Sequence, residues 1–313
     1  MYFPYLRGKQ FELLALRELT ALPLDFNKIS PIIEPVKKDL KGIQTVVAAL
    51  NKIKVTIQLI INPEKGELQN SSQEIVDVIG KLHALNFGNV IPTFLINNEK
   101  DFILLKNTIY SQGYDKSGYS LIHLNQISST SELVEITSRT NVINVIIQIN
   151  HIFALRRKFI KSASLAYLND PFIKQRKNAD YEHYPDENFS NDYLYYSEEG
   201  YHGFGDYLTI GSEYIEGGML PYAVAIHLTY KPRDEEDIRI RHFLSDSNDG
   251  IEDTAGKFYE ALTKLIQFVD DEGIDSIAIQ HFRNYYLRQA FPGLGTLKKL
   301  SIMHHIELVQ SLL

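Results

Sequence analysis

Short aliphatic runs alternate with amphipathic stretches through the first half of the chain. Residues 2–6, 31–36, 55–61, 90–96, 119–124 and 143–149 are rich in Ile, Val and Leu with little polar alternation, the pattern of strands buried on both faces. Between them, residues 11–19, 43–50, 72–85, 102–110 and 131–138 repeat apolar side chains at helical spacing. Ser71-Ser72 with Glu74, and Ser129-Thr130-Ser131 with Glu132, supply helix-start signals. Strand and helix on this schedule imply parallel strands joined by right-handed crossovers.

Such a repeat closes into a barrel or opens into a doubly wound sheet. The strand ends favour the barrel. Asn62, Asn97-Asn98, Asn125, Asn150 and, on a short seventh strand, Asn169-Asp170 follow one aliphatic run after another. They mark equivalent positions around one rim. Asn as an ordinary turn residue accounts for part of this pattern. The expected fold is therefore α/β, a (β/α)8 TIM-barrel-like domain.

The pattern changes after Asp170. Residues 176–216 carry Tyr181, Tyr184, Tyr193, Tyr195, Tyr196, Tyr201 and Tyr207 among many acidic side chains. A connection this long in a compact domain is commonly functional, and its aromatic content argues against disorder. It is expected to cover the barrel mouth as a lid. Residues 222–230 and 238–244 flank a charged turn and read as a β-hairpin in the carboxyl-terminal third. Helices are expected over 254–269, 274–288 and 296–312, with 274–279 open to a short strand instead. The whole, 1–313, reads as one barrel-like domain, with regular repeats over 1–170 and a lid, hairpin and closing helices over 171–313.

Composition narrows the function classes. The 313 residues carry a net charge of −7, which argues against direct nucleic-acid binding as the main task. There is no cysteine, so disulfides, thiolate metal sites and cysteine nucleophiles drop out. The opening residues lack a secretory pattern, and no apolar run approaches the ~18 residues of a membrane span. A cytoplasmic protein without a membrane partner is expected.

Barrel enzymes carry their working groups at the carboxyl ends of strands. There the chain offers Arg7 and Lys9, Glu12 just beyond, Glu34, and Asp170, followed by Lys174, Arg176 and Asp180. With Asp206, His242 and Asp246 they make the candidate ligand pocket, Lys9, Glu12, Glu34, Asp170, Arg176, Asp180, Asp206, His242 and Asp246. Rim salt bridges and loop caps are the alternative for the same residues. Glu34 with Asp170 would make an acid–base pair. His227 and His242 lie at similar offsets from the hairpin turn, with Asp206 and Asp246 to complete a weak metal set; cross-strand hydrogen bonding is the competing reading. No cofactor is identified.

Three other motifs are weaker. Ser245-Asp246-Ser247-Asn248-Asp249-Gly250 resembles a calcium loop but misplaces its glycine and lacks the closing glutamate, so a turn before a helix is expected. His304-His305-x-Glu307 is expected on a solvated helix face. Gly293-Leu294-Gly295 precedes a helix and offers a weak anion-binding turn. Arg156-Arg157-Lys158-Phe159-Ile160-Lys161 reads as a solvated basic helix face, with single-stranded nucleic acid as the lesser alternative.

The opening Tyr2-Phe3-Pro4-Tyr5-Leu6-Arg7-Gly8-Lys9-Gln10-Phe11-Glu12 with Ala15-Leu16, and the stretch Pro31-Ile32-Ile33-Glu34-Pro35, resemble the beta protein family of phage and bacterial proteins. Phe11 stands where that family usually has glycine. Asp170-Pro171-Phe172, Arg176-Lys177-Asn178-Ala179-Asp180-Tyr181, Gly203-Phe204-Gly205-Asp206-Tyr207 and His242-Phe243-Leu244-Ser245-Asp246-Ser247 resemble one bacterial branch of it. The resemblance implies a barrel-like fold and a partner protein encoded nearby, such as a nuclease, in a defence setting. It implies no catalytic residues. The leading expectation is a recognition or regulatory barrel acting against phage or foreign DNA with that partner. A hydrolase of phosphate or glycosidic bonds is the alternative, and a scaffold the third reading.

Overall fold

The computed structural model describes residues 1–22, 24–159, 164–217 and 221–313. Two compact units divide the chain. The first holds Met1–Leu13, Asp25–Asn169 and Leu194–Asp206; the second holds Leu14–Leu24, Asp170–Tyr193 and Tyr207–Leu313.

In chain order the elements are β1 (Tyr2–Leu6), α1 (Gln10–Leu19), β2 (Ile32–Ile33), α2 (Lys41–Lys52), β3 (Ile57–Ile60), α3 (Ser72–Ala84), β4 (Val90–Ile96), α4 (Glu99–Ser111), α5 (Tyr114–Ser117), β5 (Tyr119–His123), α6 (Thr130–Arg139), β6 (Val142–Gln148), α7 (Ile152–Phe159), β7 (Leu165–Asn169), β8 (Asp186–Ser190), α8 (Asp192–Tyr195), β9 (Gly203–Asp206), β10 (Ala225–Tyr230), β11 (Ile238–Leu244), α9 (Thr254–Glu272), α10 (Ile277–Arg288) and α11 (Leu294–Leu312).

The first unit is a closed parallel barrel in the order β1-β2-β3-β4-β5-β6-β7-β9, alternating with helices in the TIM-barrel manner. Its helices follow the sequence period: α2 buries Ile43, Val46, Val47 and Leu50, and α3 buries Ile75, Val76, Ile79 and Leu82. Inside the barrel, polar side chains bond to one another. Gln58 donates to Ser30 Oγ at 3.1 Å, Thr93 to Gln58 Oε1 at 3.2 Å, and Asn144 to Ser120 Oγ at 3.2 Å. The opposite strand face meets the helices, with the Tyr119 hydroxyl 2.8 Å from Thr140 Oγ1 and the His123 ring 4.8 Å from that of Phe159.

Closure depends on two glycines. A Cβ on Gly203 would lie 2.3 Å from the Met1 carbonyl oxygen, and one on Gly205 would lie 2.4 Å from that of Phe3. Residues 176–216 are therefore not one lid. They supply β9, which pairs with β1 and β7 in the barrel, and β8, which pairs with β11 in the other unit.

The second unit is built on an antiparallel sheet, β10-β11-β8, with the expected hairpin at its core. Tyr230 and Phe243 pack on Phe268 of α9 on one face, while Thr229 bonds His305 of α11 at 2.9 Å on the other.

Several local expectations are corrected. Ser71 and Ser129 make no side-chain cap, whereas Asn98 and Asp101 form a capping box on α4. Residues 277–279 are helical. His304 and His305 are buried, since α11 is apolar on nearly all sides. In the basic stretch, Arg156 bonds the Glu199 carbonyl and lies over the Tyr201 ring, while Arg157 and Lys158 are exposed. Ile160 and Lys161 lie outside the described residues. No described helix is long and apolar enough to cross a membrane.

Candidate functional site

The carboxyl-terminal rim of the barrel gathers the first group of candidates. Gly8 takes φ +62 as the chain leaves β1, which leaves Arg7, Lys9 and the start of α1 at the rim. Glu12 is buried and accepts the Arg7 backbone N–H at 2.5 Å. Glu34, just beyond β2, is 2% exposed, accepts two hydrogen bonds and pairs with one cation. The donors are the Tyr5 hydroxyl at 3.0 Å and the Glu64 backbone N–H at 2.9 Å, and the cation is Arg7, whose Nε lies 3.5 Å away in an ion pair without a hydrogen bond. A buried carboxylate persists only with such partners. Lys9 is half-buried on the same turn. Asp206 is buried at the end of β9 and accepts the Tyr2 hydroxyl at 2.8 Å. Burial, with Asp206 alongside, raises the Tyr2 phenol well above its ordinary range, so it stays a donor.

Beside this network lies a cleft of about 480 Å³ at the ends of β3 and β4, lined by Asn62, Glu64, Lys65, Asn97, Lys100 and Asp101, among others. Its walls are fixed from behind. The Asn62 side chain donates to the Leu95 carbonyl and accepts the Leu95 N–H, both at 2.9 Å. Asp101 accepts the N–H groups of Asn97 and Asn98 at 3.0 Å. The loop after β3 is pinned at Gly66, where a Cβ would strike the Val36 carbonyl, and at Glu67, which takes Lys37 Nζ at 2.9 Å and the Lys38 N–H at 3.0 Å.

Glu64 is the cleft's distinctive group. Burial raises its carboxyl above the ordinary range; a hydrogen bond from Asn97 opposes this, the charges of Glu34 and Asp101 add to it, and Lys65 opposes it. Sequence reasoning passed over Glu64, although Asn62-Pro63-Glu64 stands at the same strand-end position as the acids it selected.

The remaining candidates belong to the second unit and hold separate local bonds. Asp170 accepts the Ser212 N–H at 3.1 Å. Arg176 is exposed, and Asp180 accepts the Lys177 N–H at 3.1 Å. Asp246 is exposed and 2.6 Å from Lys264 Nζ. Residues 245–250 form a turn whose amides at Asp246 and Ser247 bond Glu260 of α9. His227 and His242 do face each other, paired in register with Nδ1 atoms 2.7 Å apart. His242 Nε2 lies 3.2 Å from Glu187, a residue the sequence did not single out. Asp246 is held by Lys264 and Asp206 belongs to the other unit, so neither completes a ligand set within this one. Among the described residues no group of three His, Asp or Glu side chains is arranged to hold a metal ion.

No family model matches the chain, and no curated protein or solved structure matches it.

Proposed function

We propose that this chain is a recognition or regulatory barrel that binds a small polar ligand in the Glu64 cleft and acts with a partner protein. The observation that carries this reading is the fixed, polar cleft beside a rim whose acids are already partnered: Glu34 by two hydrogen bonds and the Arg7 ion pair, Glu12 by the Arg7 amide. Pre-formed concave sites with a few oriented polar groups are the usual form of a small-molecule site. The resemblance to the beta protein family supplies the setting, bacterial defence against phage or foreign DNA, with a partner such as a nuclease. Co-purification of the chain with the product of the neighbouring gene, and increased phage plating on a deletion strain, are the expected results. Neither effect appearing would remove the proposal.

A hydrolase of phosphate or glycosidic bonds is the second reading, and Glu64 favours it. A half-buried carboxyl beside two other acids has the character of a general acid. Turnover of chromogenic phosphate esters or glycosides, lost in Glu64→Gln with the fold intact, would put this reading first.

A further inference from the structure

The three-stranded sheet carries a line of ionisable groups that the barrel rim does not use. Glu187 on β8, His242 on β11 and His227 on β10 are joined by two contacts, Glu187 Oε2 to His242 Nε2 at 3.2 Å and His242 Nδ1 to His227 Nδ1 at 2.7 Å. Two ring nitrogens that close share one proton, one donating and the other accepting.

The carboxylate decides which. At neutral pH Glu187 accepts, so His242 carries its proton on Nε2 and presents a bare Nδ1. His227 must then donate from Nδ1, and its own Nε2 keeps a lone pair. The His242 side chain is 1% exposed, whereas His227 is partly exposed, and among the described residues only its Nδ1 is hydrogen-bonded. Phe172 packs against the His227 ring in an edge arrangement and Tyr181 in a tilted one, with centroids 5.2 and 4.7 Å away. That packing, with His242 and the exposed Lys298 of α11 nearby, keeps the imidazole pKa well below its ordinary value. The ring is a neutral base that feels the charge of the Lys298 ammonium.

We propose that His227 is the proton acceptor of a separate ligand site, one that takes a small oxyacid monoanion such as a phosphomonoester. Its Nε2 accepts the ligand's P–OH, and Lys298 attracts the charged oxygen. Glu187 and His242 are positioning residues. The proton balance closes without charging either ring. The ligand's proton moves to His227 Nε2, the His227 Nδ1 proton to His242 Nδ1, and the His242 Nε2 proton to Glu187. One proton passes from ligand to carboxylate, and both imidazoles exchange tautomers.

The test is nitrogen NMR of 15N-histidine-labelled protein at neutral pH, titrated with inorganic phosphate. His227 is expected as the Nδ1–H tautomer, with an Nε2 resonance that shifts saturably as phosphate is added. Lys298→Met weakens that binding roughly tenfold, the scale of a lost charged hydrogen bond. Glu187→Gln mixes the tautomers of both rings, and Glu187→Asp restores them. A proton found on His227 Nε2 before any phosphate is added, or an Nε2 resonance unmoved by tens of millimolar phosphate, overturns the proposal. Both readings come from the unmodified protein and stand even if a variant does not fold.

Discussion

Glu34 accepts the backbone N–H of Glu64 at 2.9 Å, so the buried acid beyond β2 fixes the chain that carries the acid of the cleft. The two carboxylates are thereby given different work. One is tied by Tyr5, Arg7 and Glu64; the other keeps its side chain toward the cleft.

Removing the cation of that network should be costly. Arg7→Met leaves Glu34 buried with its charge poorly compensated, and a loss of about 3–5 kcal/mol is expected. Urea denaturation measures it. Replacing both residues, Arg7→Met with Glu34→Met, should recover much of the loss, because neither charge of the pair is then left buried without its partner. A double variant as unstable as the sum of the single ones would contradict this account.

Glu64 should make stability fall as pH rises through its range. Its folded carboxyl holds a proton more tightly than the unfolded one. Its contribution is therefore full below the ordinary glutamate pKa of ~4.3 and fades as pH rises past the raised folded value. Glu64→Gln should be the more stable protein at pH 7, with the difference vanishing near pH 4. Thermal melts across that window give the sign.

The buried histidines act in the opposite direction. Burial lowers His242 and His304 to about 4. Unfolded histidine takes its proton near pH 6.5. Stability is thus full above that value and falls as pH drops toward 4, by up to about 1.4 kcal/mol per unit for each ring. Asp186 offsets part of the effect at His242, and His305 adds to it at His304. Imidazole resonances of His242 and His304 that titrate near pH 6.5 in the folded protein would show that these rings are not buried neutral.

Barrel closure gives the sharpest packing test. Gly205→Val would drive its Cβ into the Phe3 carbonyl at 2.4 Å and should abolish folding of the first unit. Gly88→Ala, where nothing lies within 4 Å, should change stability by less than ~1 kcal/mol. Circular dichroism of the pair separates the two outcomes.

Most of the barrel was legible because strands buried on both faces cannot hide: Val90–Ile96 is an unbroken apolar run apart from one threonine. The eighth strand was not legible. Gly203-Phe204-Gly205-Asp206 is short, and its glycines are there because β1 passes too close for a side chain. That requirement is set by a residue 202 positions away, Met1 for Gly203 and Phe3 for Gly205, and leaves no local period. The same limit applied to the sites. His227 against His242 was visible from hairpin spacing, but Glu187 comes from a strand with no apolar alternation, DENFS. His304 and His305 looked polar in isolation, while the Leu, Ile and Met residues around them on α11 already marked a helix buried on nearly all sides.

The pairing of Tyr2 with Phe204 also orders events on the ribosome. β1 is made first, yet its outer edge has no partner until residue 203 has left the exit tunnel. For most of synthesis the nascent barrel is an open sheet with exposed ladder groups at both ends, an arrangement that invites pairing with other chains. The closing contact spans nearly two thirds of the chain, so it carries a large loop-closure cost and comes late. Any stop or proteolytic cut before Gly203 yields a fragment with two sticky edges instead of a smaller barrel. The last short strand therefore decides whether the product of translation is a closed ring or an aggregation seed.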